Sequence, residues 1–458
     1  MIKNIYNVSK TFGFKIFTIL ILGLFLLIPM TFIDSVVRDR KNYQSEAVDS
    51  IIEPIGGEAN IEGLIMAIPY LKKIIYENTK EITYKREYIF YMPNSYNIFG
   101  NVEISLLKRG IFKVPVLNST LNIRGKFDKY NSDLYNLNEK DAEILFDEAI
   151  IIFGIGNKKN LLKLPKIIIN ENEELKYYEK TVKINLPMFS NIFLFNISKE
   201  KLFNGFEFET SIDIQGGNSL IINPMASDNY FNISSKWSDP SFTGGFLPTK
   251  RELSKNGFNA EWNIASFNTS YNKYWTSEEE DKNKEYKFED NQNVIISFLL
   301  LNDNYQKILR SVKYSILFIF IPFFVLFLCE VISKKRIHPV QYILIGISNA
   351  IFYLLLLAIS EHINFNLSYL ISAIMVVLLT SMYIGYIIKS KKYILYMAIV
   401  EILIYIFLFG ILQLTDYAFL MGTLGLFIVI AAGMYFSRNV DWYGENNRFF
   451  RFYYITYI

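Results

Sequence analysis

The sequence predicts an α + β membrane protein, in which six transmembrane helices carry a large β-rich domain of mainly antiparallel strands between the first helix and the second. Three observations predict this fold class. Long uncharged runs lie near both ends of the 458-residue chain, lysine and arginine collect in short connections between them, and the long middle region alternates apolar with polar residues. About 20 apolar residues are enough to cross a bilayer, and alternation is typical of half-buried strands.

The clearest span is the run at residues 340–359, which holds no charged side chain. Lys334, Lys335 and Arg336 precede this run, and Glu361 follows it. Short loops that carry Lys and Arg stay in the cytoplasm, so this helix is predicted to run outward. The same rule orients the other runs. The predicted spans are residues 16–33, 314–332, 340–359, 367–388, 393–412 and 417–436.

The predicted topology places both ends of the chain in the cytoplasm. Residues 1–15 form the inner N-terminus, residues 34–313 the outer β-rich domain, and residues 437–458 an inner tail. A cleaved signal peptide is the alternative for the first run. Such a peptide has a shorter apolar core and a small-residue cleavage site, and the sequence shows neither. We therefore expect an uncleaved anchor.

Composition argues against several functional classes. The net charge is only +3, and the lysine clusters mark helix ends, so we expect no nucleic-acid partner. The single cysteine, Cys329, excludes a disulfide within the chain. The two histidines, His338 and His362, lie about 36 Å apart along one helix and cannot share a metal ion. Zinc, phosphate-loop and serine-nucleophile motifs are absent, so we expect no enzyme activity, no metal and no cofactor.

The middle region carries several strand patterns. The segment FEFETSIDI at residues 206–214 is the clearest strand, because its two faces separate apolar from polar residues. The sequence QGGN at residues 215–218 then predicts a hairpin turn, with residues 219–223 as the returning strand. A second hairpin is predicted at Asn256-Gly257. Strands with one apolar and one polar face are typical of a water-soluble antiparallel sheet.

One carboxylate lies deep inside a predicted span. Glu401 is about eight residues, hence about 12 Å, from the inner end of the fifth span. A charge at that depth is costly and usually faces the interior of a helix bundle. Asn349, Thr380 and Ser381 fall at a similar depth in their own spans, so we predict a buried polar layer. Hydrogen bonding between helices and the lining of a passage are both open as its role.

Three further polar residues lie at the predicted membrane boundaries. His338 stands before Pro339, a pattern typical of the start of a helix. Glu361 and His362 follow the outer end of the third span. We expect them to cap this helix, and the alternatives are proton transfer and contact with a partner.

A Gly- and Pro-rich stretch at residues 240–262 is the strongest candidate for a contact surface in the middle region. Phe242 and Phe246 lie in this stretch, where regular structure does not readily bury large side chains. Exposed aromatic residues often mark contact sites, and the adjacent Lys250 and Arg251 suit lipid headgroups. The alternative is that the aromatic side chains plug the end of the sheet domain.

Four segments carry a family resemblance. They are PSFTGGFLPTKRELSKNGFNAEW at residues 240–262, HPVQY at 338–342, FYLLLLAISEHINF at 352–365 and RNVDWY at 438–443. The sequence resembles the CreD family of bacterial inner-membrane, cell envelope integrity proteins, from the first span to the sixth. The resemblance implies one large periplasmic domain between the first two spans. It also implies a role in envelope integrity or envelope stress, and no established reaction.

Two functions follow as expectations. The first is a non-enzymatic role in the envelope, exerted through the periplasmic domain. The second is a transporter or lipid-handling protein that uses the polar layer around Glu401. The expected partners are the lipid bilayer and an envelope protein or lipid at the periplasmic domain.

Overall fold

The computed structural model describes residues 12–75, 82–131, 142–178, 184, 186–269, 271–277, 292–298, 304–333, 335–414 and 417–438. The chain divides into two compact units. One unit comprises Met1–Gln44 and Asn302–Ile458, and the other comprises Ser45–Leu301. The first unit is helical and the second is built mainly from β-strands. Most of the predicted inner tail, residues 439–458, lies outside the described residues.

The helices follow the apolar runs of the sequence. Numbered in chain order, they are α1 (Phe12–Phe25), α2 (Leu27–Ile52), α3 (Lys199–Asn204), α4 (Asn304–Lys313), α5 (Ser315–Ser333), α6 (Pro339–Ser360), α7 (Phe365–Ile388), α8 (Lys391–Gln413) and α9 (Ala418–Ser437). Helix α2 continues well past the first apolar run and gives way to a short 3-10 turn at Glu53–Ile55. Gly56, with φ of 99°, takes the left-handed conformation that ends this turn.

Several helices are long and apolar enough to cross a membrane. In the described part of the chain four helices meet this condition: Lys15–Ile55, Pro339–Ser360, Phe365–Ile388 and Lys391–Gln413. The pair Asn304–Lys313 and Ser315–Val331, bent by 48°, makes a fifth span if the two helices cross together. Helix α9 forms where the sixth span is predicted. The total of six spans stays a prediction.

The β-rich unit contains two sheets, each with nine strands among the described residues. The first sheet holds β1 (Ala59–Ile75), β2 (Ile82–Tyr91), β6 (Ala142–Ile144), β7 (Ile150–Ile155), β10 (Asn191–Asn196), β12 (Ser219–Ile222), β14 (Ser241–Gly244), β17 (Tyr274–Thr276) and β18 (Val294–Ser297). The second holds β3 (Ser95–Val102), β4 (Ile104–Arg109), β5 (Phe112–Phe127), β8 (Lys166–Ile169), β9 (Glu173–Glu174), β11 (Phe206–Gly217), β13 (Asp228–Ser235), β15 (Lys250–Ser254) and β16 (Gly257–Ala265).

Strand order shows that the sheets are mixed. The first sheet runs β10-β7-β1-β12-β18-β14, and the second runs β15-β16-β13-β3-β5-β11-β8-β9. Among the described ladders, β1 with β12 and β3 with β13 are parallel, and the others are antiparallel. The predicted predominance of antiparallel pairing is therefore right, and two parallel contacts are added to it.

The main core lies between the two sheets. Leu64 and Met66 of β1 belong to the same buried cluster as Ile98 of β3 and Leu121 of β5. A second cluster, which includes Phe90, covers the other face of the first sheet. Burial alternates along β5 and β11, so every second side chain of these strands points away from the core. Most of these outward side chains are polar. This alternation matches the pattern that predicts strand 206–214.

The predicted hairpin at residues 215–218 is wrong. Gly216 and Gly217 remain in β11, opposite Leu117 and Val116, and the chain then crosses to the other sheet. Strand β12 pairs with β1 and β18 instead of returning along β11. The glycines serve close packing, because a Cβ on Gly216 would lie 2.5 Å from the backbone nitrogen of Ala59. The second predicted hairpin is confirmed, since β15 and β16 pair across Asn256.

Candidate functional site

Glu401 is buried in the helical unit, as its depth in the sequence predicts. It lies on α8 with 1% of its surface exposed, and Thr380 on α7 contacts its Oε2. Thr380 Oγ1 also lies 2.9 Å from the carbonyl of Val376, one turn earlier on its own helix. A hydroxyl has one proton to donate, so Thr380 can serve only one of these two acceptors at a time. The carboxyl group of Glu401 is thus held by a single, shared side chain.

Asn349 is buried, as its predicted depth requires, and its hydrogen bond reaches the backbone of α5. Its Nδ2 donates to the carbonyl of Phe318 on α5 at 3.2 Å. Pro322 lies four residues after Phe318 in the same helix and has no N–H, so this carbonyl lacks the backbone donor that an α-helix normally supplies. Asn349 supplies the missing donor. In the structure Thr380 therefore contacts Glu401, whereas Asn349 bonds to the backbone of α5.

Other buried polar groups lie around Glu401. Tyr405 follows it by one turn on α8, and the Tyr369 hydroxyl donates to the Tyr405 carbonyl at 2.7 Å. The Phe318 ring lies 5.2 Å from the ring of Tyr405 and 6.2 Å from that of Tyr353. Side chains from α5, α6, α7 and α8 therefore meet in one aromatic group with hydroxyls at its edges.

Several of these polar atoms have no partner. In the described helices, the buried side-chain atoms without a hydrogen bond are the hydroxyls of Tyr353, Ser372, Ser381 and Tyr405 and the Oε1 of Glu401. A buried polar atom left unpaired costs about 1 to 3 kcal/mol. Tyr405 lies one helical turn from Glu401 on α8 and Ser381 directly follows Thr380 on α7, whereas Ser372 lies eight residues, or about 12 Å, before Thr380.

A second polar group forms at the C-terminal end of α6. Arg40 on α2 donates twice to Glu361, from Nε to Oε1 at 2.8 Å and from Nη2 to Oε2 at 2.5 Å. The hydroxyl of Tyr305 on α4 donates to the same Oε1 at 3.0 Å. The hydrogen bond from Arg40 is the main cause that lowers the pKa of Glu361, although partial burial opposes it. This group, Arg40, Tyr305 and Glu361, joins three helices.

A related arrangement lies near the N-terminal end of α6. Glu330, near the end of α5, forms an ion pair with Lys15 on α1. The Tyr342 hydroxyl on α6 donates to its other oxygen at 3.1 Å. A carboxylate within an apolar run is thus paired with a cation and a tyrosine from two other helices, which suits a structural role.

His338 is the N-cap residue of α6. Its Nδ1 accepts from the backbone N–H of Val340 at 3.3 Å, and its own N–H donates to the side chain of Gln341 at 2.9 Å. This reciprocal pair is a capping box with Pro339 at the first helical position. His362 lies just beyond the other end of the helix and is exposed.

The stretch 240–262 packs differently from a free loop. Phe242 contacts the rings of Phe258 and Trp262 at 5.5 and 5.6 Å. The carbonyl of Phe246 accepts from the indole of Trp262 at 3.2 Å, and both phenylalanines pack on the main core. Of the two roles predicted for Phe242 and Phe246, this packing supports the plug at the end of the sheet domain and not the exposed contact surface. Lys250 and Arg251 on β15 are exposed, as a headgroup contact requires.

Sequence reasoning found Glu401 and Thr380 and missed the tyrosines around them. The available signal was the spacing of Glu401 and Tyr405, which lie on one face of a helix. It also missed Arg40 as the partner of Glu361, because the two residues lie 321 positions apart and no sequence pattern links them. No group of three or more His, Cys, Asp or Glu side chains that could hold a metal occurs among the described residues.

Known proteins resemble nearly the whole chain. The family model described as "Inner membrane protein CreD" matches residues 11–443. The curated Inner membrane protein CreD of Escherichia coli strain K12 is 29% identical over 429 residues, which are 92% of this chain and 91% of that protein. The match covers both the helical unit and the β-rich unit. The chain therefore belongs to the CreD family of inner membrane proteins.

Proposed function

We propose that this protein is a six-span inner-membrane protein that maintains the integrity of the cell envelope through a periplasmic β-rich unit, without catalysing a reaction. The observation that carries the proposal is the family match, which extends over residues 11–443 and includes both units. The distribution of Lys and Arg supports the orientation, because it assigns residues 34–313 to the outer side.

The structural features agree with a binding role more than with chemistry. The β-rich unit has a continuous core between its sheets and one polar outer face, an arrangement suited to contact with other molecules. The hydroxyl that contacts Glu401, that of Thr380, also bonds to its own helix, as a side chain in a packing role does.

A complementation experiment tests this proposal. The chain is produced in a bacterial strain that lacks its own member of the family, and leakage of a periplasmic enzyme is measured under a cell-wall antibiotic. The proposal predicts reduced leakage with the full chain. It also predicts no reduction with a chain that lacks residues 59–298 but reaches the membrane at the same level. Equal protection by both chains would assign the function to the helical unit alone.

A second candidate function rests on the unpaired atoms around Glu401. A buried carboxyl oxygen and several unpaired hydroxyls fit a passage for a proton, a cation or a polar lipid headgroup. In that case the carboxyl group itself is required, and not only its hydrogen bond to Thr380.

Two matched variants separate these roles. Glu401→Gln keeps a side chain that can hydrogen-bond to Thr380, whereas Thr380→Val removes that bond and keeps the carboxyl group. Transport or lipid handling predicts that Glu401→Gln abolishes complementation at an unchanged protein level, while Thr380→Val retains it. Helix packing alone predicts little effect of Glu401→Gln, because the shared hydrogen bond is retained.

A further inference from the structure

The outer face of the second sheet carries an open cleft of about 960 Å³. Its floor crosses strands β13, β3, β5 and β11, which are neighbours in the sheet. Since neighbouring strands are about 4.8 Å apart, the floor extends about 14 Å across these four strands. The first residues of β4 and the side chain of Leu162 border the cleft.

A cross-strand row of polar groups and one ring forms the centre of this floor. Asn232 lies opposite Phe99, Phe99 opposite Asn122, and Asn122 opposite Ser211. The residues between them in each strand are buried in the core, so this row points outward. The amides of two asparagines therefore lie on either side of the Phe99 ring.

A second row lies two residues further along the strands. Ser234 is opposite Asn101, and its hydroxyl donates to Asn101 Oδ1 at 3.3 Å. Thr120 is opposite Asp213 and donates to its Oδ1 at 2.6 Å. Hydroxyl, amide and carboxylate groups thus continue across the strands, and donors alternate with acceptors.

The cleft contains an exposed aromatic surface among these polar groups. Phe99 is 38% exposed, although apolar residues of this sheet mostly face the core. The centroid of its ring lies 5.7 Å from that of Tyr230, so the two rings form one apolar patch on a polar face. An exposed aromatic ring beside amide groups can bind a ligand that has both an apolar face and polar edges.

The charge and the polarity of the lining argue against phosphate-containing ligands and against lipid acyl chains. No Lys or Arg side chain lines the cleft among the described residues, so it offers no positive charge to a phosphate or a nucleic acid. Two carboxylates line the cleft: Asp213, whose charge is balanced by the Lys163 Nζ 3.0 Å away, and Glu103, which precedes β4. The lining is also mainly polar, and this is unsuited to a lipid acyl chain.

We propose that this cleft binds an uncharged oligosaccharide. Neighbouring hydroxyls of a sugar ring present a donor and an acceptor side by side, and the side-chain amide of asparagine offers the matching pair. The C–H face of the ring packs on Phe99, while Asn122 and Asn232 bind its hydroxyls. A peptide could add to the edge of β4, which pairs only with β5 among the described strands. A sugar is the better match, because the Phe99 ring and the polar rows lie on the face of the sheet and not along that edge.

This inference deepens the proposed envelope function and depends on it only for the source of the saccharide. Binding by the purified protein tests the cleft itself. Loss of envelope protection without loss of saccharide binding would contradict the proposed function alone, so the two failures are distinguishable.

The test uses the full chain in lipid nanodiscs and isothermal titration calorimetry. The probes are chitotetraose, maltotetraose and the peptide tetra-alanine. The two sugars distinguish an acetamido-sugar polymer from a plain glucan. We expect one of the sugars to bind, and Phe99→Ala and Asn122→Ala each to weaken binding about tenfold through the lost ring or amide contact. The control is Asn263→Ala, an exposed asparagine of β16 outside the cleft, which should bind like the parent.

Three results would overturn the proposal. One is the absence of binding by both sugars at millimolar concentration. Another is sugar binding that persists unchanged in Phe99→Ala and Asn122→Ala, because it would then occur elsewhere on the protein. The third is binding of tetra-alanine alone, which would assign the cleft to peptides. The unfolding temperature of each variant is the control for the fold, and we expect it to equal that of the parent.

Discussion

At the scale of single residues, Glu361 accepts three hydrogen bonds from side chains of two other helices. Its side chain is 9% exposed and accepts from both Arg40 and Tyr305. Glu361→Gln should lower the free energy of unfolding by about 1 to 2 kcal/mol at neutral pH, since Arg40 is partly exposed and solvent screens the pair. Thermal unfolding in detergent measures the change. Asp34→Asn is the control, because its pair with Arg38 is exposed and should contribute little.

The same residue predicts a pH dependence. Because Arg40 lowers the pKa of Glu361, the ionised carboxylate contributes stability that is complete above its unfolded pKa of about 4.3 and is lost as the pH falls through the lower, folded pKa. The difference in unfolding temperature between the parent and Glu361→Gln should be constant between pH 7 and 5 and shrink below about pH 4. A difference that already changes between pH 7 and 6 would contradict this assignment.

Asn349 shows what the sequence does and does not reveal about a residue. Its burial follows from its depth in an apolar run, and that expectation matches the structure. Its partner does not follow, because the free carbonyl of Phe318 arises from Pro322 on another helix. Spacing along one helix gives the depth of a side chain in the bundle. It does not specify which neighbouring helix supplies the acceptor.

A double-mutant cycle tests this assignment. Asn349→Leu should cost about 1 kcal/mol of unfolding free energy, because the Phe318 carbonyl loses its donor. In a Pro322→Ala background residue 322 regains an N–H that reaches this carbonyl, so Asn349→Leu should cost less. Unfolding by denaturant in micelles measures both steps. Ser348→Ala, which removes a bond within α6 only, should cost the same in both backgrounds. Strict additivity of Asn349 and Pro322 would refute the link.

At the scale of elements, strand patterns were predictable and strand partners were less so. Alternation correctly identifies β11 and the face it buries. The QGGN sequence has the composition of a hairpin turn, yet its glycines are needed for close approach to Ala59 and Ile52. The left-handed conformation falls on Asn218, with φ of 59°, where the chain leaves one sheet for the other. Tertiary packing therefore decides between a hairpin and a crossing of identical local composition.

The stretch 240–262 gives a prediction at this scale. Phe242→Ser combined with Phe246→Ser should lower the free energy of unfolding by about 3 kcal/mol, because both rings pack on the core. Thermal unfolding of the full chain, followed by tryptophan fluorescence, measures the loss. Leu247→Ser is the matched control, since that side chain is 67% exposed. An unchanged unfolding temperature in the double variant would restore the contact surface as the role of these rings.

At the scale of the whole molecule, composition predicted the division into a helical unit and a β-rich unit. The apolar runs lie on either side of the alternating middle region in the sequence, and the two compact units divide the chain close to the same places. Orientation is a different kind of prediction. Charge asymmetry acts during membrane insertion, so the folded contacts alone do not contain it. For the same reason the six-span topology needs its own measurement.

Reporter fusions supply that measurement. Fusions after Lys335 and Lys391 should be fluorescent with green fluorescent protein and inactive with alkaline phosphatase, because basic loops stay in the cytoplasm. Fusions after Asp281 and Gln413 should give the reverse. The fusion after Gln413 also tests the bent pair Asn304–Lys313 and Ser315–Val331, since a pair that does not cross would invert every later loop. Phosphatase activity after Lys391 would therefore rule out six spans, whereas the expected pattern at all four sites would support six spans and would locate the β-rich unit on the outer side.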